Sequence, residues 1–189
     1  MIMEHFKRKL LTTLAMLPLL SSCKTSAAEG AKPLAPSQKR LQGMGLTLVV
    51  DAVEASEMLG VGFYADGRDV PFYAKSRMVK RNREIMSFPG GMVPEMVRVV
   101  WKDSSELVRR PDNPKKTTYA GTILGDHTIP IASRIPDEIV KEIRKNGGGL
   151  RLKFRLTPDG VLFGWDIERF KGGLPRHSMP GGDFLQTAY

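Results

Sequence analysis

The chain has 189 residues, of which 41% are hydrophobic and 26% charged, and it carries a formal net charge of +9. This composition allows one medium-sized globular domain with a hydrophobic core, or two very small ones. The single cysteine excludes an intrachain disulfide and a cysteine-based metal site. The positive surplus gives a weak attraction to anionic surfaces or an acidic partner, without specificity.

The amino terminus has the organisation of a secretory lipoprotein signal peptide over residues 1–22. Residues 7–9 are Lys-Arg-Lys, and the apolar run at residues 10–20 is shorter than the ~20 residues that a membrane span needs. Residues 20–23 are Leu-Ser-Ser-Cys and resemble the bacterial lipobox, an aliphatic residue and two small residues before a cysteine. Removal of residues 1–22 takes away three cations and one anion and leaves a net charge of +7.

The lipobox resemblance implies cleavage between Ser22 and Cys23, after which Cys23 carries a thioether-linked diacylglycerol and an N-acyl chain. Such an anchor is effectively permanent, since each buried methylene contributes roughly 0.8 kcal/mol. The alternative is an ordinary signal peptide that leaves Cys23 as a free thiol, which is a liability in an oxidising compartment. Lys24 stands where enterobacterial sorting rules place Asp in retained lipoproteins, which indicates the periplasmic face of the outer membrane.

Residues 23–42 are predicted to form the lipidated cysteine and a flexible tether, because they are mostly small and polar and offer little to bury. A flexible chain of about nineteen residues reaches on the order of 25 Å. Residues 43–189 are then expected to form a single globular domain.

Several segments of this domain have strand patterns. Residues 45–53 and 96–101 are rich in β-branched and aromatic residues. Residues 58–64 and 70–73 are predicted to form a hairpin around an Asp-Gly turn. Residues 104–116 are polar with two prolines, which predicts an exposed loop. Beyond Phe170 the chain is rich in Gly and Pro.

A cationic segment at residues 75–83 contains five cations in nine residues. It is either a patch for phospholipid head groups or an acidic partner, or simply the solvated face of a strand or loop. Nucleic acid is not expected, because the chain has an export signal and the cations are not interleaved with stacking aromatics. The five cations are Lys75, Arg77, Lys80, Arg81 and Arg83.

The clearest helix is predicted at residues 136–146. Ile139 and Ile143 continue an apolar stripe at four-residue spacing, Pro136 suits the first helical position, and Gly147 ends the helix. Acidic residues lie in its first turn and basic residues in its last, as the helix dipole favours.

A hairpin is predicted to follow this helix, at residues 150–168. Residues 150–156 alternate apolar and cationic side chains, which predicts a strand with one face in solvent. The return strand has Asp166 and Glu168 on its polar face. The predicted fold is therefore a single α+β domain, mainly antiparallel β-sheet, with one helix packed on a C-terminal hairpin.

No catalytic set is evident in the sequence. Beyond the signal there are only two histidines, His127 and His177, and neighbours such as Asp126 and His127 point to opposite sides of an extended chain. The chain has no G-x-S-x-G elbow, P-loop or H-E-x-x-H motif. We therefore expect a protein that is not an enzyme and needs neither a cofactor nor a metal.

Residues 97–101, 125–138, 160–169 and 181–184, together with the lipobox, resemble proteobacterial lipoproteins of unknown-function families. The resemblance covers roughly residues 90–185. Such lipoproteins are often encoded beside type VI secretion phospholipase effectors and serve as their immunity proteins.

The resemblance implies a lipid-anchored domain that binds a lipase effector and blocks its active-site cleft, with residues 104–116 and the C-terminal tail as expected contact surfaces. Two alternatives remain open. One is a structural or assembly lipoprotein of the cell envelope, and the other is an anionic-lipid-binding module that uses the cationic segment.

Overall fold

The computed structural model describes residues 33–52, 57–89 and 91–187. The folded unit is Leu34–Tyr189, and it contains every buried apolar side chain that the structure describes. Its helices are α1 (Pro36–Lys39) and α2 (Asp137–Asn146). Its strands are β1 (Gly45–Ala52), β2 (Met58–Ala65), β3 (Tyr73–Met78), β4 (Asn82–Ser87), β5 (Met96–Lys102), β6 (Leu107–Arg109), β7 (Thr117–Tyr119), β8 (Ile123–Pro130), β9 (Gly149–Thr157), β10 (Gly160–Lys171) and β11 (Leu174–Gly182).

Nine of the described strands form two sheets. The five-stranded sheet has the order β11-β10-β9-β1-β4, and the four-stranded sheet has the order β3-β2-β5-β8. Neighbouring strands are antiparallel except β1 and β9, which are parallel in the middle of the larger sheet. Strands β6 and β7 form a separate two-stranded hairpin. The predicted single α+β domain of mainly antiparallel sheet is confirmed.

The two sheets pack face to face around one apolar core. Phe154 and Phe163 of the five-stranded sheet and Phe63 and Val99 of the four-stranded sheet are fully buried. The rings of Phe63 and Phe154 meet across the core edge to face, with their centroids 5.4 Å apart. This geometry suits the aromatic quadrupole and fixes the two sheets against each other.

Helix α2 and the hairpin that follows it lie where the sequence predicted them. Pro136 precedes the helix as its N-cap instead of being the first helical residue, and Gly147 ends it with a φ of 72°. Ile139 and Ile143 are buried against the core. The helix packs on the C-terminal hairpin, where Arg169 of β10 donates a hydrogen bond of 2.9 Å to Glu142.

The predicted tether was too long at its C-terminal end. Residues 36–39 form α1, Leu41 is buried in the core, and the side chain of Gln38 is bound inside the domain. Its amide donates to Asp66 at 3.1 Å and to the carbonyl of Val93 at 3.3 Å. The folded unit therefore begins at Leu34 and not at residue 43.

The second strand of the predicted first hairpin was also misplaced, because β3 begins at Tyr73 and not at residue 70. Asp66 explains the shift. Its carboxylate accepts hydrogen bonds from the backbone N–H groups of Glu95 and Met96, at 2.8 and 2.9 Å. The turn is therefore bound to the start of β5, and the chain returns to β2 only at Phe72, whose N–H donates to the carbonyl of Phe63 at 2.8 Å, and at Tyr73, where β3 begins.

Gly125 allows the close approach of β8 to Trp101, because a Cβ at this position would lie 2.0 Å from the indole ring. We predict that Gly125→Ala destabilises the fold by about 1–3 kcal/mol, since the large ring has to move in a packed core. Gly45→Ala is the matched control, because its Cβ would meet only Gly149 at 3.8 Å. Urea unfolding measures both, and equal midpoints for the two variants would contradict this packing.

Candidate functional site

The predicted lipidation residue Cys23 and the cleavage position between Ser22 and Cys23 lie outside the described residues. No helix within residues 33–52, 57–89 and 91–187 is both long and apolar enough to cross a membrane.

The cationic segment does not form one exposed patch. It spans β3 and β4, which belong to different sheets. Lys75 is paired with Glu84, and Arg77 lies 2.5 Å from Glu57. Exposed ion pairs of this kind contribute little to stability, but they do neutralise the cations they contain.

The other three cations of the segment are divided between its turn and β4. Lys80 and Arg81 are exposed at the turn, and Arg83 is half-buried on β4, opposite Asp51 of β1. Most of the cationic segment is therefore a solvated strand and turn.

The cations of β9, by contrast, are buried. Arg151, Lys153 and Arg155, which we call the cation row, were predicted to face solvent, but the first two are fully buried and the third nearly so. Arg151 binds Asp166 with two hydrogen bonds of 2.7 and 2.8 Å, and Lys153 lies 3.0 Å from the same carboxylate. Arg155 pairs in the same bidentate way with Asp51, at 3.0 Å.

The C-terminal residues 183–187, which we call the closing segment, cover this row. The backbone carbonyl of Gln186 accepts a hydrogen bond from Lys153 at 2.8 Å, and that of Thr187 accepts one from Arg151 at 2.7 Å. The ring of Phe184 lies 5.0 Å from the Lys153 ammonium and 4.3 Å from the Arg155 guanidinium. The prediction that this face of β9 lies in solvent is therefore wrong, because a distant part of the chain returns to cover it.

The burial of Lys153 has a chemical consequence, since it lowers the pKa of the ammonium, although Asp166 opposes the shift. A buried lysine of lowered pKa is a common feature of nucleophilic sites. Here the ammonium is already bound by Asp166 and by the carbonyl of Gln186, and its side chain has no contact with solvent. The arrangement serves to close the fold and leaves no access for a substrate.

A second polar cluster lies at an open cleft of about 700 Å³ beside the N-terminal end of β9. Thr47 donates a hydrogen bond of 3.0 Å to one oxygen of Glu168, and His177 lies 3.3 Å from the other. In a nucleophilic triad the histidine stands between hydroxyl and carboxylate and takes the proton of the hydroxyl. Here the carboxylate stands in the middle, so the Thr47 hydroxyl has no histidine base.

The other histidine has a packing role. His127 stacks on Trp101 with the rings nearly parallel and their centroids 5.0 Å apart, and Gly125 leaves room for the indole. Its neighbour Asp126 is bound by Arg98 at 2.7 and 2.5 Å, which lowers the pKa of that carboxyl. The Asp-His pair of the sequence therefore has two separate structural roles.

The glycines and the aspartate at residues 181–184 also hold the fold. Gly181 lies against Trp165, where a Cβ would come within 2.6 Å of the indole. Asp183 accepts a hydrogen bond from the backbone N–H of Phe163 at 2.9 Å and pairs with Arg134 at 2.6 Å. Arg134 and that N–H lower the pKa of the Asp183 carboxyl. The sequence alone predicts a tail available for contacts, whereas this part of it is bound to the sheet.

The predicted contact loop at residues 104–116 contains β6 and leads into β7, with which it forms a small hairpin fixed to the domain. Arg110 pairs with Asp69 at 3.1 Å and with Asp112 at 2.5 Å. Lys102 donates to the carbonyl of Tyr119 on β7.

Close packing also holds this hairpin in place. Gly60 of β2 has a φ of 53°, and a Cβ there would lie 2.6 Å from the carbonyl of Ser104, so only glycine allows the hairpin to come this close. Burial beneath the hairpin raises the pKa of Tyr64.

Three large apolar side chains are exposed around this hairpin, and we call them the apolar end. Leu107 of β6 is 60% exposed, and Ile123 and Leu124 at the start of β8 are 47% and 65% exposed. Ile123 pairs with Lys102, and the Lys102 ammonium donates to the carbonyl of Tyr119, which pairs with Leu107. The three side chains therefore lie around one end of the four-stranded sheet.

The described residues contain no group of three or more His, Cys, Asp or Glu side chains that could hold a metal ion. No family model, curated protein or solved structure matches the chain.

Asp166 is the shared carboxylate of the cation row, and its loss should leave Arg151 and Lys153 buried without their anion. We predict that Asp166→Asn lowers the free energy of unfolding by about 3–5 kcal/mol. Asp126→Asn, which breaks the exposed pair with Arg98, is the control and should cost about 0–1 kcal/mol. Denaturant unfolding of both variants measures the change. If Asp166→Asn lowers the free energy of unfolding no more than Asp126→Asn does, Asp166 is not the carboxylate that stabilises the cation row.

Proposed function

We propose that the chain is a lipid-anchored binding protein on the periplasmic face of the outer membrane, which binds a type VI secretion phospholipase effector and blocks its active site. The lipobox at Cys23 supports the anchor, and the resemblance over roughly residues 90–185 supports the kind of partner. The structure supports a binding role through the apolar end.

The apolar end is the observation that carries the proposal. Exposed apolar side chains scattered singly are normal on protein surfaces, whereas a group of them on a fixed element indicates a contact surface. Leu107, Ile123 and Leu124 are grouped on and beside a hairpin whose position is fixed by ion pairs and by Gly60. A contact made by such a preorganised element costs little conformational entropy.

The charges around the hairpin suit an acidic partner. Residues 104–116 contain four cations and two acids, and one of the acids, Asp112, is paired with Arg110. Arg109 and Lys115 are exposed. A cationic rim of this kind raises the rate of association with a negatively charged protein more than it raises the affinity. The chain without residues 1–22 carries the same sign, with a net charge of +7.

The proposed mechanism is steric. A lipase that cleaves phospholipids needs an apolar cleft for the acyl chains, and that cleft offers a complementary surface to leucine and isoleucine side chains. Occupation of the cleft by the apolar end excludes lipid without any chemical step. The anchor at Cys23 confines the binder to the membrane that the enzyme attacks, which raises its local concentration without new contacts.

The arrangement of polar groups agrees with a role that requires no catalysis. The Thr47, Glu168 and His177 cluster lacks the order of a nucleophilic triad, and the ammonium of Lys153 is covered by the closing segment. These groups stabilise the scaffold, and the apolar end is the part of the described surface that we assign to recognition of the lipase.

The test is a strain that lacks the gene and is exposed to a type VI secretion phospholipase effector, which the proposal expects to be encoded beside it. We predict that the parent chain restores survival and that Leu107→Glu with Leu124→Glu does not, because two charges at the centre of the contact should weaken binding at least about 100-fold. Calorimetry with the purified lipase measures the affinity directly.

The control for this test is Ile85→Glu with Met179→Glu, which adds the same charges at two exposed apolar positions outside the apolar end and outside the closing segment. This variant should protect as well as the parent chain. Normal tolerance of the toxin by the strain without the gene would refute the function, and full protection by the Leu107 and Leu124 variant would refute the contact surface.

A further inference from the structure

The hairpin of β10 and β11 extends beyond the sheet to which it belongs. Strand β9 pairs with β10 only as far as Glu168, opposite Gly149, whereas β10 continues to Lys171. Residues 169–176, which we call the arm, pair only with each other among the described strands. At about 3.3 Å per residue the arm projects roughly 10 Å past the end of β9.

The tip of the arm is apolar on both faces. Phe170 is 72% exposed and Leu174 is 61% exposed. Leu174 pairs with Lys171, the neighbour of Phe170, so the two apolar side chains point to opposite faces of the hairpin. Gly172 and Gly173 form the turn between them with φ values of 60° and 78°, which suits a tight two-residue hairpin.

The charge of the arm has one sign. Residues 169–176 are Arg-Phe-Lys-Gly-Gly-Leu-Pro-Arg, with three cations and no acid. Arg169 fixes the base of the arm, because it binds Glu142 at 2.9 Å and the carbonyl of Gly147 at 3.0 Å. Lys171 and Arg176 are exposed beside the apolar tip.

We propose that the arm is a membrane-docking element, whose tip enters the interface of an anionic phospholipid bilayer while Lys171 and Arg176 contact the phosphates of the head groups. Two observations favour lipid over a protein groove. A groove covers one face of a hairpin, whereas lipid surrounds the tip, and Phe170 and Leu174 require cover on opposite faces. The exposed cations supply the attraction that an anionic surface adds to apolar insertion.

This inference is independent of the lipase and places lipid contact away from the cationic segment, where Lys75 and Arg77 are already paired with carboxylates. It gives the domain a second attachment besides the proposed anchor. A single apolar tip binds a bilayer only weakly, but a tether raises the effective concentration at which that tip meets the surface.

The experiment uses residues 24–189 without the acyl chains, which retain the whole folded unit Leu34–Tyr189. Co-sedimentation is measured with vesicles of phosphatidylcholine, with and without phosphatidylglycerol. The parent should bind the anionic vesicles preferentially. Phe170→Ser with Leu174→Ser should lower the partition coefficient at least about tenfold, because the inserted apolar area is lost.

Charge reversal provides the matched control. Lys171→Glu with Arg176→Glu should remove the preference for anionic vesicles, while the same change at Lys80 and Arg81 in the cationic segment should alter binding less than about threefold. The Phe170→Trp variant should show a blue shift of its emission on anionic vesicles, against a constant background from the buried Trp101 and Trp165.

Three results overturn the proposal. The first is that the parent does not bind anionic vesicles, and the second is that the Phe170→Ser, Leu174→Ser variant binds them as well as the parent does. The third is that the two charge reversals weaken vesicle binding equally, which would show diffuse electrostatic attraction only. Unchanged unfolding midpoints verify that the variants are folded. If the serine variant does not fold, an unshifted emission of the Phe170→Trp variant on anionic vesicles still overturns the inference.

Discussion

The cation row on β9 depends on a segment more than thirty residues away in the chain. Arg151, Lys153 and Arg155 share two carboxylates, and the closing segment provides further acceptors. The backbone carbonyls of Thr187 and Gln186 accept from Arg151 and Lys153, and the side-chain oxygen of Gln186 accepts from Arg155 at 2.8 Å. A buried charge that loses its partners costs several kcal/mol, so the closing segment has to stay in place for the sheet to be stable. Strand β11, which leads into that segment, pairs with β10 at the edge of the sheet.

This constraint separates stability from recognition. The polar side chains of types that often take part in catalysis are held within the fold. Lys153 is paired with Asp166, and His127 stacks on Trp101. Among the described residues, large exposed apolar side chains occur together at the apolar end and at the tip of the arm, while others, such as Ile85, lie elsewhere on the surface. A rigid sandwich that presents such hairpins suits a protein that acts by contact, with a lipase at one surface and a bilayer at the other as the proposed partners.

The sequence predicted the elements whose information is local. Helix α2 followed from the spacing of Ile139 and Ile143, and the hairpin of β9 and β10 followed from alternation and turn residues. The solvent face of β9 was predicted wrongly because alternation shows that a face is polar and not what covers it. The parallel pairing of β1 with β9 and the burial of Leu41 depend on contacts between distant segments, and no local pattern contains them.

We propose that this chain acts by occupying a lipase, and a titration of purified enzyme tests this most directly. Phospholipid hydrolysis by the proposed partner, a type VI secretion phospholipase effector, should fall in proportion to added chain and stop at one equivalent, while the added chain remains chemically unchanged. Undiminished hydrolysis in the presence of a tenfold excess of folded chain would contradict the account.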